Sequence, residues 1–308
     1  MRAAFVILCL AVACDAGEKP APPAPTPATP PPKAVAPTPT DHLRYLPADS
    51  DFVIQIDVAA LRKAKLWANH SKDLSRLIVP GFAECNYDPL AKMSTVSIGI
   101  PTKTSFGVIV VRGLDQREIL TCLRTSKLKT KTSVKFDSDD VVTLSTTTGD
   151  TYQLTFADAT TMVMQGPKLP AHSVDQTVQS GAPLAKNAAF VAAQDKVLRT
   201  APISFVSRPD SKELGDSWAQ MGLRPKAFSG TIRASDQLAL SVVLVLQSDD
   251  AATQFANMLE TQLKTFRSMA ERAEARAQGD TVTIDVGMSE TQVKSLVSMI
   301  AGMMPAQP

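Results

Sequence analysis

From about residue 46 onward, the spacing of the apolar residues changes repeatedly from that of a strand to that of a helix. A run of β-branched and aromatic residues leads into an Asp or Ser, and an apolar stripe with three- and four-residue spacing follows. Alternation favours a strand, the longer spacing favours a helix, and the Asp or Ser oxygen suits the cap between them. The unit occurs four times, with strands expected at 52–56, 106–111, 240–246 and 281–286.

Two helices are predicted most clearly, both near the end of the chain. The first follows Ser248, and its apolar stripe indicates packing against a sheet. Its members are Phe255, Met258, Leu259, Gln262, Phe266, Met269, Ala270 and Ala273. The second follows Ser289 and carries Val293, Leu296, Val297 and Ile300.

Further alternating runs predict additional strands between these units. They lie at 94–100, 134–136, 141–145, 152–156, 162–165, 203–206 and 228–233, whereas 184–200 has helical spacing. The order favours an α+β fold with two similar halves, about 41–170 and 184–308. Each half is expected to be an antiparallel or mixed sheet with helices packed on one face.

The first fourteen residues have the layout of a secretory signal. The apolar run 3–13 follows Met1-Arg2 and is too short to cross a bilayer, which takes about 20 residues. Cys14 ends it, so 1–13 resembles a bacterial lipoprotein signal peptide in which Cys14 is lipidated, although Ala11 stands where Leu is most common. The alternatives are secretion after cleavage at Ala13 or Ala16, or a retained N-terminal anchor.

Residues 14–40 are expected to form the lipidated cysteine and a Pro/Ala/Thr-rich linker. The tract holds ten of the 22 prolines and almost no large apolar side chains. Such a segment favours extended polyproline II, at about 3.1 Å per residue. It is interpreted as a spacer of up to about 80 Å between a membrane and the folded body 41–308.

Composition limits the classes of partner. The net charge is only +2, and aromatic residues make up 5% of the chain. The sequence therefore lacks the excess of basic residues that is typical of a nucleic-acid-binding protein. The short basic run at Lys127, Lys129 and Lys131 is interpreted as a solvated loop. No nucleic-acid partner is therefore expected.

Two cysteines remain in the predicted body after Cys9 leaves with the leader. Cys85 and Cys122 form an even pair in an oxidising compartment, which predicts a disulfide. The bridge would close about 38 residues and add roughly 4 kcal/mol in the chain-entropy description. Two buried free thiols are the alternative.

The chain offers few residues with catalytic or metal-binding spacing. His42, His70 and His172 are far apart in sequence, and no nucleophile motif or phosphate loop is present. The acidic cluster Asp137, Asp139 and Asp140 could supply carboxylate ligands for calcium. The downstream glutamate of a calcium loop is missing and the spacing is short, so a solvated turn is favoured. No catalytic residue, metal or cofactor is predicted.

The opening of the body resembles that of uncharacterised bacterial envelope lipoproteins. The shared pattern is Leu46-Pro47-Ala48-Asp49, then Asp57-Val58, Leu61-Arg62 and Leu66-Trp67. The stretches 230–233 and 238–240 are also similar to that family. The resemblance implies an envelope location, facing the periplasm or exterior, and no catalytic residues.

These observations favour a membrane-anchored envelope lipoprotein that acts as a non-enzymatic binding or scaffold module. Its expected partners are the membrane, through the lipid, and an envelope protein. One alternative is a carrier of a lipid or small apolar ligand in an apolar pocket. Another is a hydrolase whose site is assembled from dispersed residues.

Overall fold

The computed structural model describes residues 43–68, 87–101, 107–125, 132–146, 149–166, 201–208, 225–267 and 270–295, together with residues 184, 187, 188, 190, 191, 197 and 223. Helices in this part of the chain are α1 (Val58–Leu61), α2 (Pro89–Lys92), α3 (Gln116–Thr125) and α4 (Asp249–Phe266). Short helical stretches also occupy 65–68 and 290–295. None of these described helices is long and apolar enough to cross a membrane.

Twelve described strands form one antiparallel sheet. In chain order they are β1 (Ser50–Asp57), β2 (Thr95–Pro101), β3 (Val108–Arg112), β4 (Thr132–Phe136), β5 (Val141–Thr146), β6 (Thr151–Asp158), β7 (Thr161–Gln165), β8 (Ile203–Ser207), β9 (Ala227–Ala234), β10 (Gln237–Val245), β11 (Arg272–Gln278) and β12 (Thr281–Ser289). The order across the sheet is β11-β12-β10-β9-β8-β1-β2-β3-β7-β6-β5-β4. The predicted α+β class is therefore confirmed, and the described pairs are antiparallel rather than mixed.

Polar side chains begin the helices as the sequence predicted. The Asp57 carboxylate accepts the Ala60 N–H at 2.8 Å, and the Ser248 hydroxyl accepts the Ala251 N–H at 3.2 Å. The N–H groups of a first helical turn have no partner within the helix, so these oxygens satisfy groups that would otherwise be unpaired. Each cap fixes the point where a strand gives way to a helix.

Both faces of the central strands are buried, because successive side chains point to opposite sides of a strand. The helix face is defined by Ile54, Phe205 and Leu244, which share one core cluster with residues of α3 and α4. The opposite face is defined by Val53 and Val206. The two longest described helices thus pack on one face, as expected.

The expectation of helices on one face alone was too simple. Phe190, a fully buried helical residue, belongs to the cluster of the opposite face, together with the turn residues Leu43 and Leu46. The centre of the opposite face carries valines, whose burial stabilises the fold. Leu43, Leu46 and Phe190 pack on these valines and shield them from water. The covered part of the opposite face spans β8, β1, β3 and β7.

The long helix ends earlier than its apolar stripe predicted, and this prediction was wrong over its last turn. Helix α4 ends at Phe266, and β11 begins at Arg272. Ala270 and Ala273 continue the helical spacing, but Ala273 and Ala275 also alternate with charged residues, which is strand spacing. Gly279 at φ +58° then makes the tight turn into β12, a backbone conformation that glycine adopts readily.

Side chains of α4 and of Arg267, which directly follows it, contact the outer edge of β11. The Glu260 carboxylate accepts the Ala275 N–H at 2.8 Å, and Arg267 Nε donates to the Ala273 carbonyl at 3.1 Å. Arg267 also donates to Glu260 at 2.8 Å. An open strand edge is a template for unwanted pairing, and this ion pair occupies one N–H and one carbonyl of that edge.

Candidate functional site

The structure describes one of the three cysteines predicted to be functional. Cys122 is buried on α3 and is disulfide-bonded. Cys14 and Cys85 lie outside the described residues. The lipidation of Cys14 and the pairing of Cys122 with Cys85 therefore remain predictions.

Of the remaining sequence candidates, the structure describes only the acidic cluster, and its side chains do not converge on one site. His42, His70, His172 and the basic run 127–131 lie outside the described residues. The three acidic side chains of the β4–β5 turn have different partners: Asp137 contacts Lys135 and Thr143, Asp140 accepts from Gln116, and Asp139 lies 4.0 Å from Arg124. Among the described residues, no group of three His, Cys, Asp or Glu side chains is arranged to hold a metal.

The opposite face changes character across the sheet. Its centre is apolar and covered, whereas over β9, β10, β12 and β11 it is open and carries hydroxyls and charges. A groove of about 380 Å³ lies on this open part, and Val197 bounds it on the side of the covered centre. Its other lining residues include Ser229, Thr231, Arg233, Ala239, Ser241, Arg272, Asp285 and Gly287. We call this the arginine groove.

The floor of the arginine groove is low because of two small residues. Strand pairing places Arg233, Ala239, Gly287 and Arg272 in one row across β9, β10, β12 and β11. The two arginines are thus about 15 Å apart at Cα, with only a methyl group and a hydrogen between them. A glycine inside a strand often marks a place where another chain or ligand approaches closely.

A second row supplies polar groups beside this floor. It consists of Thr231, Ser241, Asp285 and Glu274, again one residue from each strand. Arg272 Nη2 lies 3.4 Å from a carboxylate oxygen of both Glu274 and Asp285. Glu274 also accepts from Arg276. The β11 side of the groove is therefore a network of two arginines and two carboxylates.

Glu274 and Arg276 of this network stay ionised at neutral pH. The hydrogen bond from Arg276 lowers the pKa of Glu274, and the nearby positive charge of Arg272 acts in the same direction. Glu274 in turn raises the pKa of Arg276. With Arg233 on the far rim, the five charged groups sum to +1, because three arginines face two carboxylates. The groove therefore suits an anionic group.

Sequence reasoning missed the residues of this groove. Arg272 of the groove and the neighbouring Glu274 and Arg276 lie on β11, the strand that the apolar stripe assigned in part to a helix. The alternation of charged residues with alanine from 272 to 277 was the available signal. Arg233, Ala239 and Gly287 lie on predicted strands or their extensions, but no sequence pattern placed them beside one another.

The fold has counterparts among solved structures. Crystal form I of TP0453 aligns over 87% of this chain and 98% of its own, with a TM-score of 0.52 and 12% identity. Crystal form III of TP0453 aligns over 86% and 99%, with a TM-score of 0.51 and 11% identity. No family model and no curated protein matches this chain. At such low identity the likeness to TP0453 establishes a shared α+β fold.

Proposed function

We propose that this chain is a bacterial envelope lipoprotein, anchored through a lipidated Cys14, whose body is a non-enzymatic binding or scaffold module. The observation that carries the binding role is the arginine groove, an open polar surface beside a fully covered part of the same sheet face. The leader 1–13 and the proline-rich tract 14–40 support the anchor and the spacer.

The character of the groove supports protein contact over the two alternative functions. A carrier of an apolar ligand requires an enclosed, mainly apolar pocket, whereas this groove is open and rimmed by arginines. A hydrolase requires a nucleophile held by a base, whereas Arg272 engages both nearby carboxylates of the groove in ion pairs. Paired charges around a low floor instead suit recognition of another chain.

We also propose that the body contains two related halves, near 41–170 and 184–308. The strand orders β1-β2-β3-β7-β6 and β8-β9-β10-β12-β11 support this, since in each the third strand leads into a helix and the last two strands then add in reverse order. The short helices α1 and α2 are additional to this plan in the first half. The β4–β5 hairpin extends the first half beyond this plan, and β1 pairs with β8 where the halves meet. In this proposal the arginine groove lies in the second half.

Cys14→Ser is expected to abolish lipid attachment. Without the thiol, the chain should retain residues 1–13 and incorporate no radiolabelled palmitate, whereas the wild-type chain begins at an acylated Cys14. Intact mass and palmitate labelling in cells measure this, and Cys9→Ser is the matched control because Cys9 leaves with the leader. A mature chain that begins at an unmodified Cys14 or at Gly17 would contradict the anchor.

The binding role is tested by photo-cross-linking of the full chain in its native membranes. p-Benzoylphenylalanine in place of Gln237 lies on β10, two residues from Ala239 and on the same face of the strand. We expect a covalent adduct with a polypeptide, lost when Gly287→Val fills the groove floor. The same probe at Thr261, on the exposed side of α4, is expected to give none. If Gln237 and Thr261 behave alike, the groove is not a binding site.

A further inference from the structure

We propose that the occupant of the arginine groove is the acidic β4–β5 turn, residues 137–140, of a second copy of this chain. The inference rests on the binding role proposed above and names the partner of that site. The two surfaces lie at opposite ends of one sheet, so the contact joins copies head to tail.

The acidic turn carries negatively charged side chains that can contact a partner. The Asp139 side chain is fully exposed, and within the described residues its single ion contact is the 4.0 Å approach of Arg124. Asp137 stays ionised because hydrogen bonds from Lys135 and Thr143 lower its pKa. Asp140 adds a third carboxylate, while Lys135 on the preceding strand neutralises part of the charge.

The arginine groove carries N–H donors that can bind the carboxylates of the acidic turn. Within the described residues, the ion contacts of Arg272 run through Nη2, and no hydrogen bond there uses its Nε or Nη1. A guanidinium carries five N–H donors in a planar fork that matches a carboxylate, so the contacts of Arg272 through Nη2 leave capacity for another carboxylate. The floor of Ala239 and Gly287 leaves room for a turn to approach the sheet.

The contact cannot form within one molecule. Strands β10 and β5 are separated by eight strand spacings in the sheet. At about 4.8 Å each, the groove and the turn are about 38 Å apart. A turn of four residues does not cover that distance, so a second copy must supply it.

The geometry makes the contact heterologous, because the groove of one copy receives the turn of another. Such contacts leave a free groove and a free turn at the ends of each assembly, so they propagate into chains or close into rings. A turn in a 380 Å³ groove buries little surface, and the contact is therefore weak in dilute solution. Anchoring of both copies to one membrane raises their effective concentration and favours it.

The experiment uses the full chain carrying the photo-reactive residue at Gln237, with different tags on two co-expressed copies in native membranes. We expect a homodimer adduct, with its cross-link mapped to 137–140. Asp139→Arg or Arg233→Glu in both copies should lower its yield about tenfold or more, because like charges then meet. Asp150→Lys, in the β5–β6 turn at the other end of the same hairpin, should leave the yield unchanged.

Mixing the two variants separates this contact from an indirect effect. A copy with Asp139→Arg keeps a native groove, and a copy with Arg233→Glu keeps a native turn. Their mixture should regain the adduct between unlike copies, although neither variant forms it alone. No recovery on mixing would overturn the inference, as would an adduct whose cross-link lies outside the turn. An adduct with a different envelope protein would overturn it too, while supporting the proposed binding role; no adduct at all contradicts both.

Discussion

Gly230→Ala is expected to destabilise the folded chain by about 3 kcal/mol, as overpacking of a filled core does. A Cβ atom at residue 230 would lie 2.2 Å from Cζ of Phe205 and 2.7 Å from the carbonyl oxygen of Ser241. Gly230 pairs directly with Phe205 across β8 and β9. The ring cannot move aside freely, since its centroid lies 5.9 Å from that of Phe52 and 5.3 Å from that of Phe228.

Urea denaturation followed by circular dichroism measures this effect, and Gly287→Ala is the matched control. Gly287 is also a strand glycine of the same sheet, but a Cβ there meets only the Cβ of Arg272, at an ordinary 3.5 Å. We expect its free energy of unfolding to stay within about 0.5 kcal/mol of that of wild type. Equal losses for the two variants would mean that the Phe205 contact is not what excludes a side chain at residue 230.

Asp51→Ala is expected to cost about 3 kcal/mol of unfolding free energy. Asp51 and Arg208 lie where β1 and β8 meet, with Nη2 and Oδ1 3.2 Å apart and side chains only 12% and 20% exposed. Removing one partner leaves a charge in a poorly hydrated place, which is costly. This value is at the low end of the cost of removing one partner from a buried ion pair, because both side chains keep some contact with water.

The control for this prediction is the double variant Asp51→Leu with Arg208→Met. It removes both charges and keeps much of the volume, so we expect it to recover most of the lost stability. Denaturation of wild type, Asp51→Leu, Arg208→Met and the double variant in a double-mutant cycle gives the coupling energy directly. A double variant as unstable as Asp51→Ala would show that the lost charge pairing is not the cause.

The strands were largely predictable because each carries its own signal. Eleven of the twelve described strands contain a run identified from alternation, and Asp57, Asp115 and Ser248 accept helix N–H groups as expected. β11 was missed because alanine, arginine and glutamate are strong helix formers, and their alternation was weaker than the apolar stripe before it. Local propensity there is overridden by pairing with β12 and by the Glu260–Arg267 closure of the edge.

The candidate site was much less predictable than the strands. Arg233 and Arg272 are 39 positions apart in sequence, and nothing local indicates that Ala239 and Gly287 lie between them. Their row exists because β9, β10, β12 and β11 pair in a particular register. A shift of one residue in any pair would move an arginine to the helix face, so the site depends on long-range hydrogen bonding.

The sequence by itself determined the apolar run ending at Cys14, the proline-rich tract, the alternation of nearly every strand and the caps of the helices at Asp57, Asp115 and Ser248. These features depend on neighbours within a few residues, where composition and spacing act directly. Only the tertiary structure decided that one sheet holds all twelve described strands, that its opposite face is covered at the centre and open over β9–β12, and that two arginines frame a low floor. Those outcomes depend on which distant strands pair and in which register, and a single strand carries no information about its eventual neighbour.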